Sequence, residues 1–285
     1  DFDDDGWPDL YVANDFAVPD LLYRNAGDGT FTDVAREVLP QTPYSAMGCD
    51  TADVNDDGSI DLLVADMAAT THEKDQRSMA VSRYTTASPR ENQVPQSSRN
   101  MLYLGANTDL VREGAYLAGL AATDWTWSLR FEDFDCDGRI DLLVTNGMNR
   151  EHHNIDMIDR VNRAGNPEAR IALVREAPVL KERNMAFRNE GDLRFREVGA
   201  EWGFDELGVS FGCAVGDFDG EGDLDVVTTR YGRPPAIHRN GGSSGDRVVF
   251  ALRGRESNRF GIGARVDLET SVGRRTRELW SARGY

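Results

Sequence analysis

Four short acidic stretches with one spacing constrain this chain more than any other feature. Residues 1–9, 53–61, 133–141 and 217–225 align position by position. The first two read Asp1-Phe2-Asp3-Asp4-Asp5-Gly6-Trp7-Pro8-Asp9 and Asp53-Val54-Asn55-Asp56-Asp57-Gly58-Ser59-Ile60-Asp61. The last two read Asp133-Phe134-Asp135-Cys136-Asp137-Gly138-Arg139-Ile140-Asp141 and Asp217-Phe218-Asp219-Gly220-Glu221-Gly222-Asp223-Leu224-Asp225. Oxygen-bearing residues recur at positions one, three, five and nine, glycine recurs at six, and an apolar β-forming run starts at ten. Carboxylates at alternate positions of a tight loop converge on one point, and glycine at six permits the positive-φ turn that swings the chain around it. A backbone carbonyl at position seven and the carboxylate at nine complete a shell of oxygens. Such a hard, charged oxygen set suits Ca²⁺ better than Mg²⁺, and transition metals would want His or Cys, neither of which recurs.

The expected ligands are therefore Asp1, Asp3, Asp5 and Asp9 in loop one; Asp53, Asn55, Asp57 and Asp61 in loop two; Asp133, Asp135, Asp137 and Asp141 in loop three; and Asp217, Asp219, Glu221 and Asp225 in loop four. Trp7, Ser59, Arg139 and Asp223 would contribute backbone carbonyls, for about four ions in all. Net charge points the same way. The chain carries −17, and the four stretches hold 18 of its 49 acids and one base, Arg139. Elsewhere 31 acids and 31 bases cancel. Charge confined to loops argues for cations rather than for a generally acidic surface. The EF-hand shares positions one, three, five and six but needs a bidentate Glu at twelve between helices. Here position twelve is Val12, Val64, Val144 or Thr228, and the flanks read as strands. Asp and Gly also favour plain turns, but four copies in register argue against that reading.

Strand-like segments Ser45–Ala52, Thr126–Glu132 and Ser210–Gly216 precede loops two to four. A further strand carries Tyr23-Arg24-Asn25, Phe187-Arg188-Asn189 or His238-Arg239-Asn240, with Met101–Leu104 and Gly105 in the second copy. The Asn-x-Gly-Asp stretches after Asn25 and Asn189 read as hairpin turns. The unit is thus four antiparallel strands. Loop starts are 52, 80 and 84 residues apart, whereas a four-stranded blade needs roughly 40–50 residues. Two insertions follow, a polar one over about 67–99 and a helical one over about 147–184. In the second, Asn166 and Pro167 form an N-cap and N1 pair, Ile171 and Val174 share a face, and Pro178 ends the run.

These residues resemble the calcium-binding FG-GAP/VCBS-type β-propeller repeats found in integrin α-chain heads. The likeness is nearer to the cartilage acidic protein type, in which such repeats precede an ASPIC/UnbV segment. The stretches that carry it are the four loops, Ser45–Asp50, Trp125–Ser128, Arg24–Phe31 and, for the ASPIC/UnbV segment, Asn258–Arg265. The resemblance implies an all-β toroid of four-stranded antiparallel blades, structural Ca²⁺ in the blade loops, and secreted, cell-surface or periplasmic placement. Four loops are fewer than the seven blades of the integrin-type ring, so a partial ring with a helical insertion is expected. The expected division is a propeller over 1–245 and the start of an ASPIC/UnbV-like β segment over 246–285. Glu221 and Asn55 depart from the pattern, which predicts weaker ions in loops four and two.

The remaining features narrow the function. No apolar run approaches a membrane span. The chain opens at Asp1 without Met or signal peptide and is expected to be a piece of a longer protein. Three cysteines without a CxxC pair indicate neither a disulfide scaffold nor a zinc knuckle. Cys49 and Cys213 read as small buried residues on equivalent strands. Residues 246–285 hold nine Arg against five acids, which reads as a solvated β face rather than a nucleic-acid surface. Glu151, His152 and His153 read as exposed insertion surface, and Trp125 and Trp127 as core. No catalytic constellation appears. The leading expectation is a non-enzymatic adhesion or recognition module with a protein or glycan ligand. One alternative is a polysaccharide lyase or dehydratase whose titratable groups converge from both insertions. The other is a structural subunit of a surface assembly, with subunit contacts made through the insertions.

Overall fold

Short apolar, β-forming segments on either side of each loop make strands, and the loop is the turn that joins them. The structure, a computed structural model, describes residues 1–16, 18–79, 93–105, 111–242, 247–270 and 273–281. Its strands are β1 (Leu10–Val12), β2 (Leu21–Asn25), β3 (Phe31–Asp33), β4 (Thr42–Pro43), β5 (Ala46–Ala52), β6 (Asp61–Ala68), β7 (Gln96–Ser97), β8 (Met101–Leu104), β9 (Arg112–Glu113) and β10 (Asp124–Glu132). They continue as β11 (Asp141–Asn146), β12 (Glu182–Arg183), β13 (Met185–Asn189), β14 (Phe195–Glu197), β15 (Leu207–Gly208), β16 (Ser210–Gly216), β17 (Asp225–Arg230), β18 (Ala236–His238), β19 (Arg265–Thr270) and β20 (Gly273–Glu278).

The chain is mostly strand and forms part of a β-propeller. Blade two is β5-β6-β8-β9 and blade three is β10-β11-β13-β14, both antiparallel and four-stranded as expected. Blades one (β1-β2-β3) and four (β16-β17-β18) have three strands each among the described residues. Blades two and three are joined where β10 pairs with β6 through Asp124↔Ala68 and Trp125↔Met67. The result is one curled sheet, β14-β13-β11-β10-β6-β8-β9, with β5 paired onto β6. The strands before the loops, β5, β10 and β16, lie side by side. Each has its pairing register broken at the same place: between Ala46 and Cys49, Thr126 and Ser128, and Ser210 and Cys213. Gly48 sits in the first of these irregularities, where a Cβ would lie 2.4 Å from the Trp127 carbonyl oxygen. Only glycine allows β5 and β10 to approach this closely.

After the outermost strand of blades one to three, the chain makes one helical turn: Ala35–Val38, Ala115–Ala118 and Gly199–Trp202. Each turn is started by a carboxylate from the strand before it. Asp33 accepts from the Ala35 N–H (3.1 Å), Glu113 from Ala115 (2.7 Å) and Glu197 from Gly199 (2.8 Å). The apolar residues then collect between blades. Leu63, Leu102, Leu129, Phe131, Leu142 and Val144 fill the seam of blades two and three. Leu22, Leu62, Val64, Met101 and Tyr103 fill that of one and two, and Phe134, Leu143, Phe204 and Val226 that of three and four. Burial of each such side chain contributes about 1.5–3 kcal/mol.

The second insertion is helical as expected, over Ile155–Arg163 and Pro167–Glu176, and Asn166 Oδ1 accepts from the Ala169 N–H at 2.8 Å. Ile171 and Val174 are nevertheless exposed; the buried helical side chain is Met157. The first insertion begins later than expected, because Met67 and Ala68 complete β6. Residues 80–92 of that insertion, like residues 243–245 of the Gly/Ser linker and residue 246, lie outside the described residues. Trp125 is core, packed with Met67, Met148 and Leu180. Cys49 and Cys213 occupy matching places on β5 and β16, and burial pushes their thiols up to about 11 and about 12. No helix among the described residues is long and apolar enough to cross a membrane.

Candidate cation sites in the blade loops

All four loops share one backbone. Gly6, Gly58, Gly138 and Gly222 have φ of 91°, 89°, 92° and 87°, the turn expected at position six. Position four is left-handed as well: Asp4, Asp56 and Cys136 have φ of 59°, 58° and 54°, and loop four places Gly220 there. A non-glycine residue such as Cys136 in this left-handed region costs about 1–2 kcal/mol. Cys136→Gly is therefore expected to stabilise the protein by roughly 0.5–1 kcal/mol after the loss of chain entropy is counted. Denaturant melts of the two proteins check this; a less stable variant would mean that the thiol's packing outweighs the relieved strain.

One hydrogen-bond scheme recurs on that backbone. The position-one carboxylate accepts from the position-six N–H: Asp1 from Gly6 (3.0 Å), Asp53 from Gly58 (3.0 Å), Asp133 from Gly138 (2.9 Å) and Asp217 from Gly222 (3.0 Å). In loops one to three the position-seven N–H of Trp7, Ser59 or Arg139 donates to Asp5, Asp57 or Asp137. The position-nine carboxylate joins two strands. Its Oδ2 accepts from position two: Phe2 to Asp9 (2.7 Å), Val54 to Asp61 (2.9 Å), Phe134 to Asp141 (3.1 Å) and Phe218 to Asp225 (3.0 Å). Its Oδ1 accepts from the end of the third strand, through the N–H of Asn25, Gly105, Asn189 or Asn240.

The acids gather as this scheme requires. Carboxylate oxygens of Asp1, Asp3 and Asp5 lie within 4.8 Å of one another, as do those of Asp133, Asp135 and Asp141, and of Asp217, Asp219 and Asp225. Loop two forms no such triple among the described residues, since Asn55 holds position three and donates to Asp57 at 2.9 Å. Asp61 and Asp141 are fully buried. Burial, aided by the neighbouring carboxylates, pushes both up to about 8 and Asp53 up to about 6. In loop one, Asp1 Oδ1 and Asp3 Oδ1 are buried without a hydrogen-bond partner. Buried, mutually repelling, acceptor-only groups with orphaned oxygens fit a hard divalent cation held by oxygen.

Part of the compensation comes from arginines, which the loop sequences do not reveal. Arg24 lies 2.7 Å from Asp3, Arg188 lies 2.7 Å from Asp135 and 3.1 Å from Asp137, and Arg239 lies 2.5 Å from Asp219 and 2.6 Å from Glu221. Arg139 also pairs with Asp137. Blade two lacks both partners of this pair, having Asn55 and Leu104. Glu221 in loop four thus reaches Arg239 and stands outside the acid triple. The asparagine that follows each arginine is a further residue that sequence reading took only as a strand marker. Asn189 Nδ2 donates to Ile140 O in its own blade (3.0 Å) and to Val54 O in loop two (2.9 Å). Asn240 Nδ2 donates likewise to Leu224 O (3.4 Å) and to Phe134 O in loop three (2.7 Å). Each asparagine therefore fastens its blade to the loop of the blade before it.

With this geometry in hand, the comparison with known families is informative. Residues 1–64 match the FG-GAP-like repeat. The FG-GAP-like stretch contains loops one and two whole, and ends within β6. Loops three and four repeat its backbone and hydrogen-bond scheme beyond the matched residues. No curated protein matches the chain.

The opposite end of the blades carries a second group of titratable side chains, here drawn from both insertions. Lys74 pairs with Asp124 and lies 3.3 Å from Glu182, and Arg77 lies 2.8 Å from Glu151. His153 is not the exposed residue expected: it stacks on Phe16 (5.8 Å between centroids) and tilts against Trp125 (5.0 Å), and burial pulls it down to about 4. His153 is half-buried and Glu151 buried, whereas His152 and His72 are exposed.

Proposed function

We propose that the chain is part of a calcium-loaded, extracytoplasmic β-propeller that works as an adhesion or recognition module for a protein or glycan ligand and not as an enzyme. The observation that carries this reading is the single loop backbone and hydrogen-bond scheme repeated four times, with three carboxylates brought together in loops one, three and four. Ca²⁺ would be held by positions one, three, five and nine with the position-seven carbonyl, and its role would be structural: it neutralises buried acids and fixes the loop that joins two strands. Residues 246–285 are read as the beginning of an ASPIC/UnbV-like segment of the cartilage acidic protein type. Their arginines engage the loops, which supports the reading that nucleic acid is not a partner.

Calorimetry on chelator-stripped protein tests the calcium reading. About four ions are expected, with loops one and three filling before loops two and four. Equal occupancy of all four under limiting Ca²⁺ would refute that order, and preference for Zn²⁺ would refute the reading. A lyase or dehydratase is the second reading, because titratable groups from the two insertions do meet. Those groups are closed ion pairs, Lys74 with Asp124 and Glu182 and Arg77 with Glu151, which favours a role in holding the insertions together. Eliminase activity on acidic polysaccharides, lost in Lys74→Met, would reverse that preference.

A further inference from the structure

In the basic segment, Arg265, Arg275 and Arg277 lie on the loops, while Arg253, Arg255, Arg259 and Arg274 stay exposed. β19 and β20 form a hairpin in the register Arg265↔Glu278 to Thr270↔Gly273. From it, Arg265 reaches Asp4 Oδ1 at 2.7 Å and also donates to Gly58 O. Arg275 lies 2.9 Å from Asp56 Oδ2, and Arg277 donates to Gly138 O at 3.4 Å. One hairpin thereby touches loops one, two and three. The fit is close, leaving a cavity of about 20 Å³ between Thr276, Arg277 and Trp280 on one side and Asp53, Ile60 and Phe131 on the other.

The acceptors follow a rule. Asp4 and Asp56 stand at position four, and Gly58 and Gly138 offer carbonyls at position six. These are the two left-handed positions of the loop, and neither is among the expected cation ligands. Hairpin and cation therefore use disjoint groups of the same loop, and both need its backbone in one conformation. Charge does not set them against each other strongly. Loop one has five acids against Arg24, and loop two has four acids with no arginine from its third strand. Both stay acidic with a divalent ion in place.

We propose that the β19–β20 hairpin is a basic clamp whose docking on loops one to three is favoured by cation occupancy of those loops. The clamp rests on the calcium reading above. An ion that orders the loop presents Asp4, Asp56 and the two carbonyls in docking position, and by linkage the docked hairpin tightens the ion.

Hydrogen exchange on the full chain tests this, with calorimetry run in parallel, at a temperature where the β11 amides of the chelated protein stay protected. The β19 and β20 amides are expected to exchange at least tenfold faster after chelation. In R265Q/R275Q, Ca²⁺ is expected to bind at least threefold more weakly, whereas simple removal of nearby positive charge would tighten it. Ca²⁺ binding with unchanged or slower hairpin exchange after chelation overturns the clamp and leaves the calcium reading standing. So does an unchanged or tighter affinity in R265Q/R275Q. Absence of Ca²⁺ binding overturns both.

Discussion

Chelation of Ca²⁺ is expected to lower the melting temperature of this protein by about 10–20 °C. Extracellular Ca²⁺ modules bind at ~10⁻⁴–10⁻³ M, the range that the proposed function implies for these loops. At about 1 mM Ca²⁺, a site of ~10⁻⁴ M contributes roughly 1.4 kcal/mol to the folded state, and four such sites contribute about 5–6 kcal/mol. For a chain of this size each kcal/mol moves the melting temperature by about 2–4 °C. The buried carboxylates Asp61 and Asp141 explain why the effect is stabilising: burial raises both to about 8, so without a counter-ion their ionised form is disfavoured near pH 7, and a bound cation removes that cost. Differential scanning calorimetry with and without chelator checks the shift. A melting temperature that does not respond to chelation would mean that the loops fold as acidic turns with no structural ion.

The second large effect is expected at Asn189. Its side chain is almost fully buried, donates to Val54 O and Ile140 O, and accepts from the Gly191 N–H at 2.9 Å. Asn189→Ala removes all three bonds and strands two carbonyls in a seam that water does not reach, for a loss of about 3 kcal/mol. Asn25 is the control. Its Nδ2 donates to Pro8 O (3.0 Å) and its Oδ1 accepts from Gly27 (3.0 Å), with no bond to another blade among the described residues. Asn25→Ala is expected to cost about 1 kcal/mol. Denaturant melts of both variants make the comparison; equal losses would show that the inter-blade bond adds nothing.

What sequence reading found, and what it missed, divides by distance along the chain. The glycine at six and the carboxylates at one, three and nine lie within nine residues of one another, and the flanking strands and the Asn166 cap are just as local in sequence, so spacing alone revealed them. The bond from Asn189 to Val54 spans 135 residues and that from Asn240 to Phe134 spans 106. Nothing local marks either, although the recurring Arg-Asn pair was visible as a repeat. The hairpin contacts are further apart still, with Arg265 and Asp4 separated by 261 residues. An alternating arginine face reads as solvated until the acidic surface beneath it is known. Position four was missed for another reason: Asp tolerates left-handed backbone, and so gave no sign that this backbone was required.

The seam asparagines also give the array a direction. Blades three and four each bring a donor, Asn189 and Asn240, and the loop before each supplies a main-chain carbonyl, which every residue type has. A unit added after the last one thus needs no change in the unit it joins. Phe218, at position two of loop four, stands where such a newcomer's asparagine would arrive, its side chain 55 % exposed. A newcomer at the other end would have to be met by an asparagine already present, and Asn25 alone stands in that place. The seam bond thus has one polarity along the chain, with the donor on the later blade and the carbonyl on the earlier loop.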